Sequence, residues 1–230
     1  MKTTAILVAA GNSTRMGGVC KQLISVCGRP VLYHTLRAFE EADRVDGVVL
    51  ICREQEKKAF QGLIEEYRFK KVLKLVTGGE TRQASVAVGI GAAPSDTDFF
   101  AIHDGARCLI THELIDAVIE DAAVFKASAA GVPVKDTIKV VSPQGIVAST
   151  PDRSTLWAVQ TPQVFERPLY LAAMEKAISE GRDHTDDCQL IEQNGGRVHM
   201  CMGSYDNIKV TTLEDITLAE AILQKRGENI

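Results

Sequence analysis

Leu7-Val8-Ala9-Ala10-Gly11-Asn12-Ser13-Thr14-Arg15-Met16-Gly17, with Lys21-Gln22 just behind, is the stretch whose reading decides the fold. An apolar run from Thr4 to Ala10 stops abruptly in small and polar residues. A short apolar run without polar alternation is the pattern of a strand buried on both faces, as in a parallel sheet covered by helices. In such sheets ligands bind at the turns beyond the carboxyl ends of the strands. Ala9, Ala10 and Gly11 leave backbone N–H groups open to a close-lying polyphosphate. Arg15 and Lys21 bring two cations to the same loop. The loop carries neither G-x-x-x-x-G-K-[ST] nor G-x-G-x-x-G. Taken alone, it is also compatible with a flexible turn bearing two solvated cations.

Working outward, similar apolar runs recur at Val48–Cys52, Val72–Val76, Phe99–His103 and Ala129–Val134. Helical spacing separates several of them. Pro30 opens one helix as its first residue, with Val31, Leu32, Leu36 and Phe39 on one face. Thr111 precedes another, marked by Leu114, Ile115, Val118, Ile119 and Ala122. Strands alternating with helices predict an α/β fold with a mainly parallel sheet covered on both faces. Thr137–Val141, Ser142-Pro143-Gln144-Gly145 and Ile146–Ser149 read as strand, turn and strand. Such a hairpin is marginally stable by itself, so it is expected to pack on something, a second subunit being one choice. Thr212-x-x-Asp215 announces a capping-box start to the last helix.

The chain has 230 residues, 45% hydrophobic and 24% charged, with a net charge of -4. This is the composition of one globular domain of ordinary size. An acidic balance argues against a surface built for nucleic acid or an anionic membrane, though it permits a local basic pocket. Six cysteines stand at 20, 27, 52, 108, 188 and 201. They form neither a C-x-x-C pair nor a zinc-site spacing, so they read as free thiols of a reducing compartment. The amino-terminal apolar run is too short for a secretory signal, and the expected location is the cytoplasm.

Further motifs sit at strand ends. Gly78-Gly79-Glu80-Thr81-Arg82-Gln83-Ala84-Ser85 combines glycines for close approach with polar groups able to read a base or ribose; the plainer reading is a turn in which Thr81 caps a helix. In His103-Asp104-Gly105-Ala106-Arg107, Asp104 could bind a metal or substrate hydroxyls and Arg107 a phosphate. Neighbouring strand residues face opposite ways, so His103 and Asp104 make a poor catalytic dyad, and His103 reads as a buried core histidine. Thr150-Pro151-Asp152-Arg153, Thr161-Pro162-Gln163, His184-Thr185-Asp186-Asp187 and Asp206-Asn207-Ile208-Lys209-Val210-Thr211-Thr212 are weaker when read singly. Cations at several element edges are the informative feature.

As an ordered set, LVAAGNSTRMGG, CKQ, GGETRQASV, HDGAR, VKDT, PDRSTLWAVQTPQVF, HTDD and DNIKVTT closely resemble the 2-C-methyl-D-erythritol 4-phosphate cytidylyltransferase family of the non-mevalonate isoprenoid pathway, from Leu7 to Thr212. The resemblance implies a Rossmann-like, three-layer nucleotidyltransferase domain over 1–230. It also implies a protruding β-arm over 137–153 and a homodimer in which each arm brings Thr137 and Arg153 to the neighbour's site. CTP contacts would come from Ala9, Ala10, Gly11, Asn12, Gly79, Glu80, Ser85 and Gly105. Arg15 and Lys21 would stabilise charge on the triphosphate, while Arg153 and Lys209 would hold methylerythritol phosphate for attack. Asp104, Arg107, Thr137, Thr161 and Thr185 would line the substrate. Magnesium, or another divalent cation, would be held chiefly by the CTP phosphates. Cys20 and Cys108 stand where the family usually has Pro, and Glu80 where Asp is common.

The expected reaction is in-line attack of the substrate phosphate on the α-phosphorus of CTP. An attacker already anionic needs no strong base, which suits motifs rich in Arg and Lys. Three alternatives stay open on the sequence: a cytidylyltransferase for another polyol phosphate such as ribitol 5-phosphate, a nicotinamide-dependent oxidoreductase, and a nucleotide-binding regulator without chemistry. The missing G-x-G-x-x-G disfavours the second. Cations placed for both leaving group and acceptor disfavour the third.

Overall fold

A computed structural model describes residues 1–11 and 20–227. The elements in chain order are β1 (Thr3–Val8), β2 (Ser25–Val26), β3 (Arg29–Pro30), α1 (Val31–Glu41), β4 (Gly47–Cys52), α2 (Lys57–Tyr67), β5 (Val72–Thr77), α3 (Arg82–Ala92), β6 (Phe99–Asp104), α4 (His112–Phe125), β7 (Ala127–Pro133), β8 (Val140–Val141), β9 (Val147–Ser149), β10 (Trp157–Glu166), α5 (Arg167–Ser179), α6 (Asp187–Gln193), β11 (His199–Met202) and α7 (Leu213–Lys225). The central sheet has seven strands in the order β11-β7-β10-β6-β1-β4-β5. β1 runs parallel to β4 and β6, β4 to β5, and β11 to β7, whereas β10 runs antiparallel to both neighbours.

Alternate strand residues feed two cores. Ala5, Leu7, Val48 and Leu50 pack with Leu36 and Phe39 of α1, Phe60 of α2 and Ile119 of α4. Ile6, Val49, Ile51, Phe100 and Ile102 pack on the other face with Val86 of α3, Tyr170 of α5 and Ile191 of α6. The period of two along each strand therefore builds three layers. α7 closes a third cluster with Val26, Val31 and Leu109.

Several local expectations are met atom by atom. Thr111 Oγ1 accepts from the Leu114 N–H and caps α4. Thr212 and Asp215 form the reciprocal capping box of α7. Pro30, expected as the first helical residue, is instead the N-cap, because its extended ψ of 145° leaves it in the β2–β3 ribbon. The hairpin forms with shorter strands than expected. Gly145, at a φ of +78° that glycine tolerates, closes its turn through an N–H bond to the Ser142 carbonyl,. Thr137 to Lys139 lies outside β8.

Candidate active site

The carboxyl ends of β1, β4, β5 and β6 come level, since Val8 pairs with both Ile51 and Asp104. Backbone bonds then stitch the turns together: Ala9 N–H to the Ile51 carbonyl, Gly78 N–H to Cys52 and Gly105 N–H to Val8, each within 2.9 Å. Close approach explains two glycines. A Cβ on Gly78 would lie 2.8 Å from the Ala10 Cβ, and one on Gly105 only 3.1 Å from that of Ala9. The result is an open cavity of about 500 Å³ along this edge, of a size suited to a small ligand.

Ala10, Gly11, Lys21, Gly79, Glu80, Ser85, Asp104 and Lys209 line this cavity, so the sheet edge gathers the widely separated loops that carry them. Lys21 and Lys209 share one cavity. Ala9 is buried under its floor beside Gly105. Thr161 is buried behind Asp104, whose N–H its hydroxyl accepts at 3.1 Å. Arg107 lies next to Asp104, with Nη1 donating to the Asn207 carbonyl at 2.8 Å. Thr185 is exposed on the loop before α6, and Thr137 and Arg153 are exposed on the arm, where Arg153 Nη1 donates to the Lys135 carbonyl. None of these last three lines the cavity of its own chain. Asn12 and Arg15 lie outside the described residues.

Asp104 is the electrostatic hub. Lys209 Nζ stands 2.7 Å from Oδ2, Arg82 Nε 3.5 Å from Oδ1 and Arg107 Nε 3.9 Å from Oδ2. Burial by itself would raise the carboxyl pKa, but Lys209, Arg82 and Arg107 together outweigh it and hold Asp104 well below the usual carboxylate range,. Burial lowers the Arg82 pKa, yet Asp187 and Asp104 overcome that and raise it. Arg82 Nη1 reaches Asp187 at 2.7 Å, and the Tyr170 hydroxyl donates to the other Asp187 oxygen at 2.6 Å. A buried chain Tyr170–Asp187–Arg82–Asp104 thus fixes the start of α3 against α6.

Thr81 does cap α3, accepting from the Ala84 N–H, and it also donates to Asp183. The capping and site readings of this segment therefore coexist. Gln83 Oε1 accepts from the His184 N–H, which ties the GGETRQAS and HTDD segments together.

Gln22, quoted with Lys21 but given no role, also lines the cavity, as does Arg53, which sequence reasoning missed. Arg53 directly follows the carboxyl end of β4, and that position was the available signal,. Its guanidinium is ion-paired with Glu56. Cys20 takes a φ of -65°, the angle a proline ring would impose, so the backbone entering Lys21 keeps that geometry without the ring,. Burial and Glu56 push the Cys20 thiol up to about 12, which leaves it a poor nucleophile,.

The comparisons with known proteins point one way. The family model described as 2-C-methyl-D-erythritol 4-phosphate cytidylyltransferase matches residues 3–225. A protein of that name from Caldanaerobacter subterraneus subsp. tengcongensis is 45% identical over 98% of this chain and 100% of its own length. Another from Desulforamulus reducens is 45% identical over 97% of this chain and 96% of its own. The crystal structure of 4-diphosphocytidyl-2C-methyl-D-erythritol synthase from Anaerococcus prevotii superposes with a TM-score of 0.87 at 32% identity, covering 97% of this chain and 98% of that one. With the fold, the shared cavity and the full-length match in agreement, the chain belongs to the 2-C-methyl-D-erythritol 4-phosphate cytidylyltransferase family.

Proposed function

We propose that this protein transfers CMP from CTP to 2-C-methyl-D-erythritol 4-phosphate, giving 4-diphosphocytidyl-2-C-methyl-D-erythritol and pyrophosphate. The observation that carries this reading is one cavity lined both by Lys21 and by the Asp104–Lys209–Arg82 cluster. An oxygen of the acceptor phosphate attacks the α-phosphorus of CTP, and the bond from that phosphorus to the β-phosphate oxygen breaks. Both reactants are anions, so catalysis is alignment plus charge neutralisation. Lys21 and Arg15 serve the triphosphate. Lys209 and Arg153 hold the acceptor phosphate, with Asp104 setting the position of Lys209. Ala9, Ala10, Gly11, Asn12, Gly79, Glu80, Ser85 and Gly105 form the nucleotide side; Arg107, Thr137, Thr161 and Thr185 form the acceptor side.

Glu80 and Asp104 are carboxylates of the cavity wall, and Asp104 is already taken up by cations. Among the described residues no three His, Cys, Asp or Glu side chains converge. This donor set suits a divalent ion held mainly by phosphate oxygens, the usual situation for magnesium. When bound there, magnesium supplies Lewis acidity to the α-phosphate and leaving group.

The arm supports a homodimer. Ile138, Val140, Val141, Ile146 and Val147 are all exposed on a two-stranded hairpin too small to bury them,. A neighbour's arm would bring Thr137 and Arg153 to a cavity they do not reach in their own chain. Free thiols fit a cytoplasmic location,, and no described helix is long and apolar enough to cross a membrane. The test is pyrophosphate release from CTP with methylerythritol phosphate and, separately, ribitol 5-phosphate. We expect rapid release with the first acceptor; preference for the second would overturn the acceptor assignment.

A further inference from the structure

Behind the cavity wall four polar residues close a ring. His103 is fully buried, its imidazole packed 5.0 Å from the ring of Phe39. Its Nδ1 lies 2.9 Å from Thr161 Oγ1 and its Nε2 lies 3.3 Å from the Arg107 carbonyl. The Asp104 N–H already donates to Thr161 Oγ1, so the hydroxyl hydrogen is free to point at Nδ1. Nδ1 is then the acceptor, and the ring proton sits on Nε2, aimed at the Arg107 oxygen. The opposite tautomer would set two lone pairs against each other there. Arg107 Nη1 donates to the Asn207 carbonyl at 2.8 Å, and Asn207 Nδ2 donates to the Thr161 carbonyl at 3.0 Å. Donation therefore runs head to tail from His103 to Arg107, Asn207, Thr161 and back to His103.

We propose that His103 is a positioning residue for the acceptor phosphate, closing a directional hydrogen-bond cycle that fixes Asp104, Arg107 and Lys209 relative to one another. The cycle joins β6 and the turn after it, which carry Asp104 and Arg107, to the segment before α7, which carries Lys209, with Thr161 of β10 as the link between them. Each bond in such a buried ring polarises the next, and one broken member leaves its neighbours short of partners. Burial drives the imidazole pKa down to about 3, so the ring stays neutral and keeps its tautomer through the physiological range. The nucleotide side shares none of the four bonds. Loss of His103 should therefore register on one substrate only.

This inference rests on the acceptor reading above, and two measurements keep their failures apart. Steady-state kinetics on His103→Phe, with folding checked by melting, should show the acceptor KM raised roughly 10- to 100-fold, as partnerless buried groups imply. The KM for CTP should stay within about threefold. His103→Gln, whose amide can still donate toward the Arg107 carbonyl, should retain an acceptor KM closer to wild type. An unchanged acceptor KM in a folded Phe variant, or equal rises for both substrates, overturns the assignment. Nitrogen-15 NMR of the imidazole, assigned by loss of its signals in His103→Gln, needs no turnover. It should report a neutral ring protonated on Nε2 from about pH 5 to 8, and a proton on Nδ1 would refute the cycle. Wild-type protein inactive with methylerythritol phosphate would defeat the function reading, while the NMR result would still decide the cycle.

Discussion

The sheet-edge cavity and the arm are built on opposite terms. At the edge, Arg82, Lys209 and Arg53 each face a carboxylate of their own chain, and Asp104 and Asp187 are almost wholly buried. On the arm, Arg153 donates to a backbone carbonyl, and branched apolar side chains stand in solvent around it. The edge makes its charge pairs within one chain, whereas the arm leaves its branched side chains uncovered. One region is pre-arranged so that charge costs little reorganisation during reaction. The other has the exposure expected of an interface under the homodimer proposal,.

That contrast can be broken or sharpened by substitution. The largest effect is expected from Asp187→Ala, which leaves the Tyr170 hydroxyl without its acceptor and Arg82 with Asp104 alone; breaking a buried ion pair should cost about 3–5 kcal/mol in urea unfolding,. Next come Lys21→Ala and Arg15→Ala, each lowering kcat by at least about 100- to 1,000-fold, or roughly 3–4 kcal/mol, with the melting profile intact. Lys209→Ala and Arg153→Ala should chiefly raise the acceptor KM, by roughly 10- to 100-fold or about 1–3 kcal/mol per lost contact to the phosphate.

Of similar size between pH 7 and 5 is the pH dependence of stability. His103 titrates near 6.5 when unfolded but at about 3 when folded,. Its contribution is complete above about pH 6.5, and as pH falls from there towards 3 it drains away by roughly 1.4 kcal/mol per unit. Asp104, held low by its cations, contributes in the same sense: its share is present above about pH 4 and lost as the carboxylate is protonated,. Urea midpoints from pH 7 to pH 5 should fall less steeply for His103→Gln than for wild type. The smallest effect belongs to the arm. Ile146→Ser should shift unfolding of the isolated chain by no more than about 0.5 kcal/mol while weakening dimerisation in sedimentation equilibrium.

The edge was far more legible in the sequence than what supports it. Uninterrupted apolar runs ending in Gly, Arg, Lys or Asp announced the parallel strands and their ligand-facing turns, and Thr111 and Thr212 announced their helices. β10 was hidden because it inserts antiparallel and carries Pro162 at a register irregularity between Val159 and Gln163, where a missing N–H does no harm,. Thr161-Pro162-Gln163 therefore carried little weight when read singly. The partners of Asp104 were hidden for a different reason. A salt bridge such as Arg82 to Asp187 spans the sheet edge, and pattern along the chain carries no trace of which charges will meet. Thr185 and Thr137 show the converse, since family resemblance points to them while their own chain leaves both exposed.

The division of labour between edge and arm is tested most directly by mixing subunits. Lys21→Ala and Arg153→Ala chains are assayed separately at low acceptor concentration, then dissociated together, reassociated and assayed again. If each cavity takes Arg153 from the neighbouring chain, half the dimers are mixed and one of their two sites is whole, so activity should climb to about a quarter of wild type. Activity that stays at the level of the separate parents would contradict the account.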